Sequence, residues 1–146
     1  MTHSALSDLL SFTQEHAESQ PGCMSDFVAA YYENADPDEL QTRGPAALFA
    51  NAAAHWRLLQ AHTDPAGAQV RVFNPTLAED GFVNEHTVVH IVHANMPFLV
   101  DSVTMAINRG NRTAHWIVHP LLAVQRDASG AVQTASSAAT AHAQGA

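Results

Sequence analysis

The stretch from His86 to Val103, HTVVHIVHANMPFLVDSV, decides how this chain is expected to fold. It begins inside a β-branched run that extends from Phe82 to His93, and such a run favours a strand. Asn95-Met96-Pro97 follows, with a residue suited to an N-cap and a proline suited to the first helical turn. Apolar residues then recur at helical spacing to Arg109. The stretch therefore predicts a strand, a tight turn and a helix in direct succession.

Residues 1–63 predict a helical N-terminal segment. Apolar residues at intervals of three and four indicate a helix from Ala5 to about Ala17 and a second from Ser25 to Asn34, separated by Pro21-Gly22. Asp36-Pro37 is typical of another helix start, and Pro45 begins a long helix that extends to about His62.

Residues 64–134 predict an α+β unit around the central stretch. Gln69–Phe73 alternates as a strand does, and the segment from Asn74 to Gly81 is expected to be a loop. After the helix, Thr113–Gln125 is expected to be a long strand, and Asp127–Gly130 a hairpin turn into a short return strand over residues 131–134. Residues 135–146 are rich in alanine and serine and are expected to form a disordered tail.

These elements predict an α+β fold class, with a helical N-terminal layer packed on a small, mainly antiparallel sheet. Trp56 lies in the helical layer and Trp116 in a predicted strand. We expect both to be core aromatics that link the layer to the sheet, although either could line a pocket.

Composition and charge exclude several functions. The net charge of −8 speaks against nucleic acid and anionic membranes as partners. All six basic residues are arginines, so no lysine is present for Schiff-base chemistry or for a phosphate loop. Cys23 is the single cysteine, which excludes a disulfide framework within the chain and favours a reducing cytoplasm. No apolar run reaches the roughly 18 residues that span a bilayer.

Two charged residues are candidates for contacting a ligand. Asp101 falls in the first turn of the predicted helix, where it either stabilises the free N–H groups or contacts a ligand. Arg71 lies on a predicted strand, where it either binds a carboxylate or forms an ordinary salt bridge.

Histidines are the most conspicuous functional residue type, with ten in the chain. A histidine metal module could draw its ligands from His86, His90, His93, His115 and His119. Strand alternation places His86 and His90 on one face and His93 on the other, so only part of the set can converge. The simpler interpretation is that these are exposed or hydrogen-bonded strand histidines, and no metal site is predicted.

Several motifs together resemble a known family. They are Phe27-x-x-x-Tyr31-Tyr32, Asp38-x-Leu40, His55-Trp56-Arg57-Leu58, Arg71-Val72-Phe73-Asn74-Pro75, His86-Thr87-Val88-Val89, Met96-Pro97-Phe98-Leu99-Val100-Asp101-Ser102-Val103, and His119-Pro120 followed by Arg126-Asp127 and Gly130. In this order they closely resemble the N-terminal region of the large bacterial NAD-specific glutamate dehydrogenases, over roughly residues 25–132. One departure is that Ala94 and Asn95 stand where the family usually has two acidic residues.

The resemblance implies an ACT-like regulatory unit that precedes the catalytic domain. ACT modules are βαββαβ units, and the central stretch with the following hairpin fits only the first half of one. The parent reaction implied is oxidative deamination of glutamate to 2-oxoglutarate with NAD. This region resembles no part of the catalytic site, where the family uses lysines, so no catalytic residue or cofactor is expected here.

The leading expectation is a non-catalytic regulatory and assembly module that senses an amino acid. Its site would be the N–H cluster at the predicted helix start, with Asn95, Met96, Pro97, Asp101 and Arg71 as ligand-binding residues. The partners expected are the rest of the dehydrogenase chain and further copies in a homo-oligomer. The alternatives are a purely structural oligomerisation module and the histidine metal module.

Overall fold

The N-terminal half of the chain is a layer of four helices. In the computed structural model, which describes residues 5–16, 21–61, 67–94, 97–129 and 132–137, they are α1 (Ala5–His16), α2 (Pro21–Tyr31), α3 (Pro37–Arg43) and α4 (Pro45–Ala61). Local caps explain the start and the end of α3. The Asp36 side chain accepts from the Asp38 N–H at 2.9 Å, and Gly44 ends the helix at φ 84°.

The predicted start of the second helix at Ser25 is wrong. The helix α2 begins at Pro21, so Pro21-Gly22 forms its first turn and does not belong to the connection before it. A proline is tolerated there because the first N–H groups of a helix have no partner within it. The domain boundary predicted near residue 64 lies outside the described residues.

The core is built mainly from α1, α2 and α4, which contact one another. Among the described residues, the largest fully buried side chains include Tyr32, Phe27, Leu9, Leu48 and Val28. Phe27 meets Trp56 edge-on at a centroid distance of 4.9 Å. Trp56 is therefore a core aromatic, as predicted. Buried rings of this size supply much of the apolar area of a small core.

The first sheet packs on α4. Its strands β1 (Gln69–Phe73) and β2 (Val88–Val92) are antiparallel, with Arg71 opposite His90. Because side chains alternate along a strand, His90 points toward the helices while Val89 lies on the opposite face. The strand predicted from Phe82 is shorter than expected, because β2 begins only at Val88, opposite the last residue of β1.

The predicted loop after Phe73 contains a short helix, α5 (Leu77–Asp80). Thr76 caps its start by accepting from the Glu79 N–H at 3.2 Å, and Gly81 ends it in the left-handed region at φ 80°. A four-residue helix has too little periodicity for sequence patterning to detect.

The central helix, α6 (Leu99–Arg109), begins later than predicted. Pro97 precedes it, and Phe98 holds the N-cap position with left-handed backbone angles, φ 64° and ψ 17°. Asn95, the predicted N-cap, and Met96 lie outside the described residues. Phe98 makes no side-chain cap hydrogen bond at the start of α6.

The second sheet packs on α2. Its strands β3 (Leu122–Arg126) and β4 (Val132–Ser137) are antiparallel, and Val132 and Ala135 of β4 enter the core. The strand predicted from Thr113 is wrong over residues 113–121, which have no regular structure. Trp116 lies in this segment, partly buried and parallel to the Tyr32 ring at 6.3 Å.

The tail predicted from Ala135 is wrong for its first three residues. Ala135 and Ser137 are buried in β4, and the Ser137 hydroxyl donates to Glu33 at 3.0 Å. The rest of that predicted tail lies outside the described residues.

The α+β class is confirmed, with antiparallel strand pairing in both sheets. The strands form two separate two-stranded sheets, whereas one small sheet was expected. In the first sheet, β1 is the hydrogen-bonded neighbour of β2.

Candidate functional site

A buried polar network joins the helical layer to the first sheet. The Nε2–H of His55 donates to the Ile91 carbonyl at 3.1 Å, which leaves its Nδ1 to accept from the Tyr31 hydroxyl at 2.8 Å. Asn51 uses both ends of its amide, since its Nδ2 donates to the Tyr32 hydroxyl at 3.0 Å and its Oδ1 accepts from His90 Nε2 at 2.8 Å. Residues on α2, α4 and β2 are thus linked through side chains that are far apart in sequence.

The two histidines of this network stack on each other. The rings of His55 and His90 lie 4.2 Å apart with an interplanar angle of 6°. His90 is only 3% exposed, and its Nδ1 has no hydrogen-bond partner in the described part of the chain. Since Nε2 carries the proton given to Asn51, this Nδ1 is a buried, unsatisfied acceptor.

Burial holds both histidines in the neutral form. It lowers the pKa of His55 to about 4, against a smaller opposing effect of the bond to the Ile91 carbonyl. It lowers the pKa of His90 to about 3, assisted by His55 and Arg71 and opposed by Asp80. Both rings are therefore neutral near pH 7. The side chains of this network are hydrogen-bonded to one another and to the Ile91 carbonyl. The network therefore holds the first sheet on α4.

Arg71 is paired with a carboxylate of its own chain. Its Nη2 donates to Asp80 Oδ1 at 2.9 Å, and its guanidinium lies over the Phe73 ring at 3.7 Å. Asp80 Oδ2 accepts from the Thr76 N–H at 3.0 Å, and that bond, followed by the bond and charge of Arg71, lowers the pKa of Asp80 against the opposing effect of desolvation. Of the two predicted roles for Arg71, the structure has the salt bridge.

The other predicted ligand-binding residues lie at the start of α6. Pro97 and Asp101 are exposed, and Asp101 is in the first turn of the helix as predicted. Asn95 and Met96 fall outside the described residues. Arg71 is already paired with Asp80 and is therefore not free for an effector at this helix start.

The candidate metal ligands do not converge in the described part of the chain, which holds no group of three or more His, Cys, Asp or Glu side chains suited to a metal ion. His90 is bound to Asn51, and His93 Nδ1 donates to the Ala94 carbonyl at 2.7 Å. His86 and His115 stack at 4.0 Å, nearly parallel. The parallel rings place their faces, not their ring nitrogens, toward each other.

A groove runs between α1, α4 and the end of α5, with a volume of about 380 Å³. Phe12 and Phe49 line it with aromatic rings 5.8 Å apart, and Arg57 and Asp80 supply its charges. No motif predicted this groove, because its residues come from three segments and only Arg57 belongs to a run that the sequence singled out.

The match to a family model decides the relationship of this chain to known proteins. The model described as the ACT1 domain of glutamate dehydrogenase matches residues 27–146. The chain belongs to this family. The ACT1 match includes α3, α4 and both sheets, and it begins inside α2.

Two curated relatives of this ACT1 chain are named NAD-specific glutamate dehydrogenases. The protein of Halomonas elongata is 37% identical over 101 residues, which are 69% of this chain and 6% of that protein. The protein of Pseudomonas aeruginosa is 36% identical over 104 residues, which are 71% of this chain and 6% of that protein. The ACT1 chain therefore spans only a small part of the length of these relatives. No solved structure matches it.

Among the described helices of the ACT1 chain, none combines the length and apolar character needed to cross a bilayer.

Proposed function

We propose that this chain is a non-catalytic regulatory and assembly module of an NAD-dependent glutamate dehydrogenase, which packs against the rest of that polypeptide. The parent reaction in this proposal is oxidative deamination of glutamate to 2-oxoglutarate, with NAD bound by the parent and none by this module. The family match and the two relatives support the parentage. The absence of lysine leaves this chain without the residue type that the family resemblance assigns to the catalytic site.

The observation that carries the assembly role is the uncovered state of α6. This helix is strongly amphipathic, with Leu99, Val103 and Ile107 at helical spacing along one side, yet none of its residues is buried. Phe98, just before it, is 75% exposed, and Met105 is 61% exposed. An amphipathic helix owes most of its stability to burial of its apolar side, so we expect a covering surface outside the described residues.

The outer face of the first sheet supports the same role. Val70 and Val72 of β1 and Val89 of β2 share this face, and each is exposed. Val72 lies directly opposite Val89 in the antiparallel register. Contiguous β-branched side chains of this kind mark a surface for packing. The rest of the polypeptide is the expected partner, because the matched region makes up 6% of each relative.

A charge placed on α6 tests the assembly role. We expect Val103→Glu, at the centre of the apolar side, to reduce the assembled fraction of the complete dehydrogenase severalfold in size-exclusion chromatography with light scattering. The same change in the 146-residue chain should leave the Tm within about 2 °C, because no residue of α6 is buried there.

The matched control is Asn108→Glu, which adds the same charge to an exposed polar position of the same helix. The control should assemble normally. Normal assembly of Val103→Glu would contradict the proposal, as would the absence of any longer dehydrogenase polypeptide containing this chain.

Association of two copies is part of the regulatory and assembly proposal. Both edges of the two-stranded first sheet are open to pairing within the described region, and an open edge can pair with a second copy. Light scattering of the 146-residue chain distinguishes a second copy from the parent polypeptide as the partner. If the chain is a strict monomer at high concentration, only the parent polypeptide remains as a partner.

A cytoplasmic location belongs to the same proposal, and the single cysteine in the sequence agrees with a reducing compartment.

Amino-acid sensing is a second candidate function, favoured by the exposed start of α6. Pro97, Phe98 and Asp101 are all exposed there, and the first N–H groups of a helix suit a carboxylate. A thermal-shift series with the twenty amino acids at millimolar concentration tests it. We expect a rise in Tm for at least one of them, and a flat response to all would contradict sensing without affecting the assembly role.

A further inference from the structure

The groove between α1, α4 and α5 has the shape of a small-molecule site. Its volume of about 380 Å³ falls within the range of roughly 300–1,000 Å³ that is typical of ligand pockets. Small side chains of α4, Ala50 and Ala53, leave room along its floor. Gly81 also lines the groove, with φ at 80°. A Cβ atom added at this position would lie 3.5 Å from the Ala50 methyl group.

One side of the groove is aromatic. Phe12 stacks on His16 with the ring centroids 3.8 Å apart, and it meets Phe49 at 5.8 Å in a tilted arrangement. The His16 ring is fixed, because its Nδ1 hydrogen-bonds the Phe12 carbonyl at 2.9 Å. These rings offer a preformed surface for an apolar or aromatic ligand body.

The polar end of the groove has an excess of positive charge. One oxygen of Asp80 accepts from Arg71 and the other accepts from the Thr76 N–H. The negative charge of Asp80 is therefore already balanced by Arg71. Arg57 also lines the groove; its charge acts on Asp80 from a distance, but among the described residues it forms no ion pair within 4.0 Å. This unpaired guanidinium stands out in a chain whose net charge is −8.

We propose that the groove binds a small carboxylic acid with an apolar or aromatic body. The carboxylate pairs with Arg57, whose planar guanidinium matches two carboxylate oxygens, and the body lies against Phe12 and Phe49. The ligand class has no ammonium group, because Asp80, the acidic side chain lining the groove, is committed to Arg71 and Thr76. This site is separate from the start of α6 and does not depend on amino-acid sensing there.

Titration of the 146-residue chain with 3-phenylpropionate tests the site. We expect saturable binding in NMR or calorimetry, with shifts concentrated on α1 and α4. The alcohol of the same skeleton, 3-phenylpropan-1-ol, and phenylalanine, which adds the ammonium group, should each bind at least tenfold more weakly.

Two variants locate the binding. Arg57→Gln removes the guanidinium charge from an exposed side chain and should weaken 3-phenylpropionate at least tenfold, while Arg112→Gln, an exposed position outside the groove lining, should not change its affinity. Ala53→Leu fills the floor and should also weaken binding in a variant whose circular dichroism is unchanged.

Three results would overturn the proposal. They are no saturable binding of 3-phenylpropionate, equal losses for Arg57→Gln and Arg112→Gln, and phenylalanine binding as tightly as 3-phenylpropionate through Arg57. A phenylalanine response that survives Arg57→Gln would belong to the sensing site on α6, so failure of the groove and failure of sensing are distinguishable.

Discussion

The stacked pair His55 and His90 makes the fold sensitive to acid. Both have a pKa in the folded state, about 4 and about 3, that lies below the ordinary value of 6.5 expected in the unfolded chain. The unfolded state therefore binds protons first as the pH falls. The stability that these neutral histidines contribute is fully present above pH 6.5 and is lost as the pH decreases toward 4.

We predict that the free energy of unfolding falls by roughly 4 kcal/mol between pH 7 and pH 5 because of this pair, with about half from each histidine. Urea denaturation at each pH measures it. The double variant His55→Gln/His90→Gln should be less stable at pH 7 and should lose most of this slope. The exposed variant His119→Gln should keep the full slope, and a wild-type stability that is flat from pH 7 to 5 would refute the prediction.

Asn51 is the residue that connects His90 to Tyr32. Asn51→Ala removes an acceptor from the buried His90 Nε2–H and should cost about 1–3 kcal/mol of unfolding free energy, as expected for an unsatisfied buried donor. Chemical denaturation compared with the exposed Asn34→Ala provides the measurement and its control. Equal, small effects of the two substitutions would show that the network contributes little.

At the scale of single elements, the strand β4 joins the second sheet to the helical layer. Ala135 is 1% exposed, whereas its neighbour Thr134 is exposed. Ala135→Glu would bury an unpaired charge, so we predict a loss on the order of 3–5 kcal/mol, enough to abolish cooperative melting in a marginally stable domain. Thr134→Glu should melt within about 3 °C of the unmodified chain.

Differential scanning calorimetry compares the two β4 variants. A cooperative, unshifted transition for Ala135→Glu would mean that this part of the hairpin does not belong to the core. The outcome also tests the extension of β4 to Ser137, which the composition of the tail did not predict.

Helix starts were predictable from sequence where their signals are local. Asp36 and Pro37 carry the complete N-terminal signal of α3 within two residues, and Pro45 does so for α4. The strand ends were not predictable, because a strand needs a partner. The β-branched run from Phe82 becomes strand only from Val88, where β1 is available to pair with it.

The candidate sites were predictable only in fragments. The family motifs include Arg57, His55 and Arg71, but nothing in the sequence links His55 to Ile91 or Arg71 to Asp80. His90 and Asn51 are 39 positions apart. Such pairs depend on tertiary packing of α4 against the first sheet, which patterning along one chain does not specify.

For the whole molecule, the central feature is an unequal distribution of apolar surface. The helical layer is closed around Phe27, Tyr32 and Leu48, whereas α6 and the valine face of the first sheet remain open. This distribution is what we expect of a module that is covered by the rest of a larger enzyme.

Hydrogen exchange of the α6 amides tests this account most directly. The amides of Leu99–Arg109 should exchange at least tenfold more slowly in the complete dehydrogenase than in the 146-residue chain, because docking protects a helix that is otherwise uncovered. Amides of α4 near Leu48, already in the core, should change much less. Equal exchange of α6 in the two proteins would contradict the proposed docking.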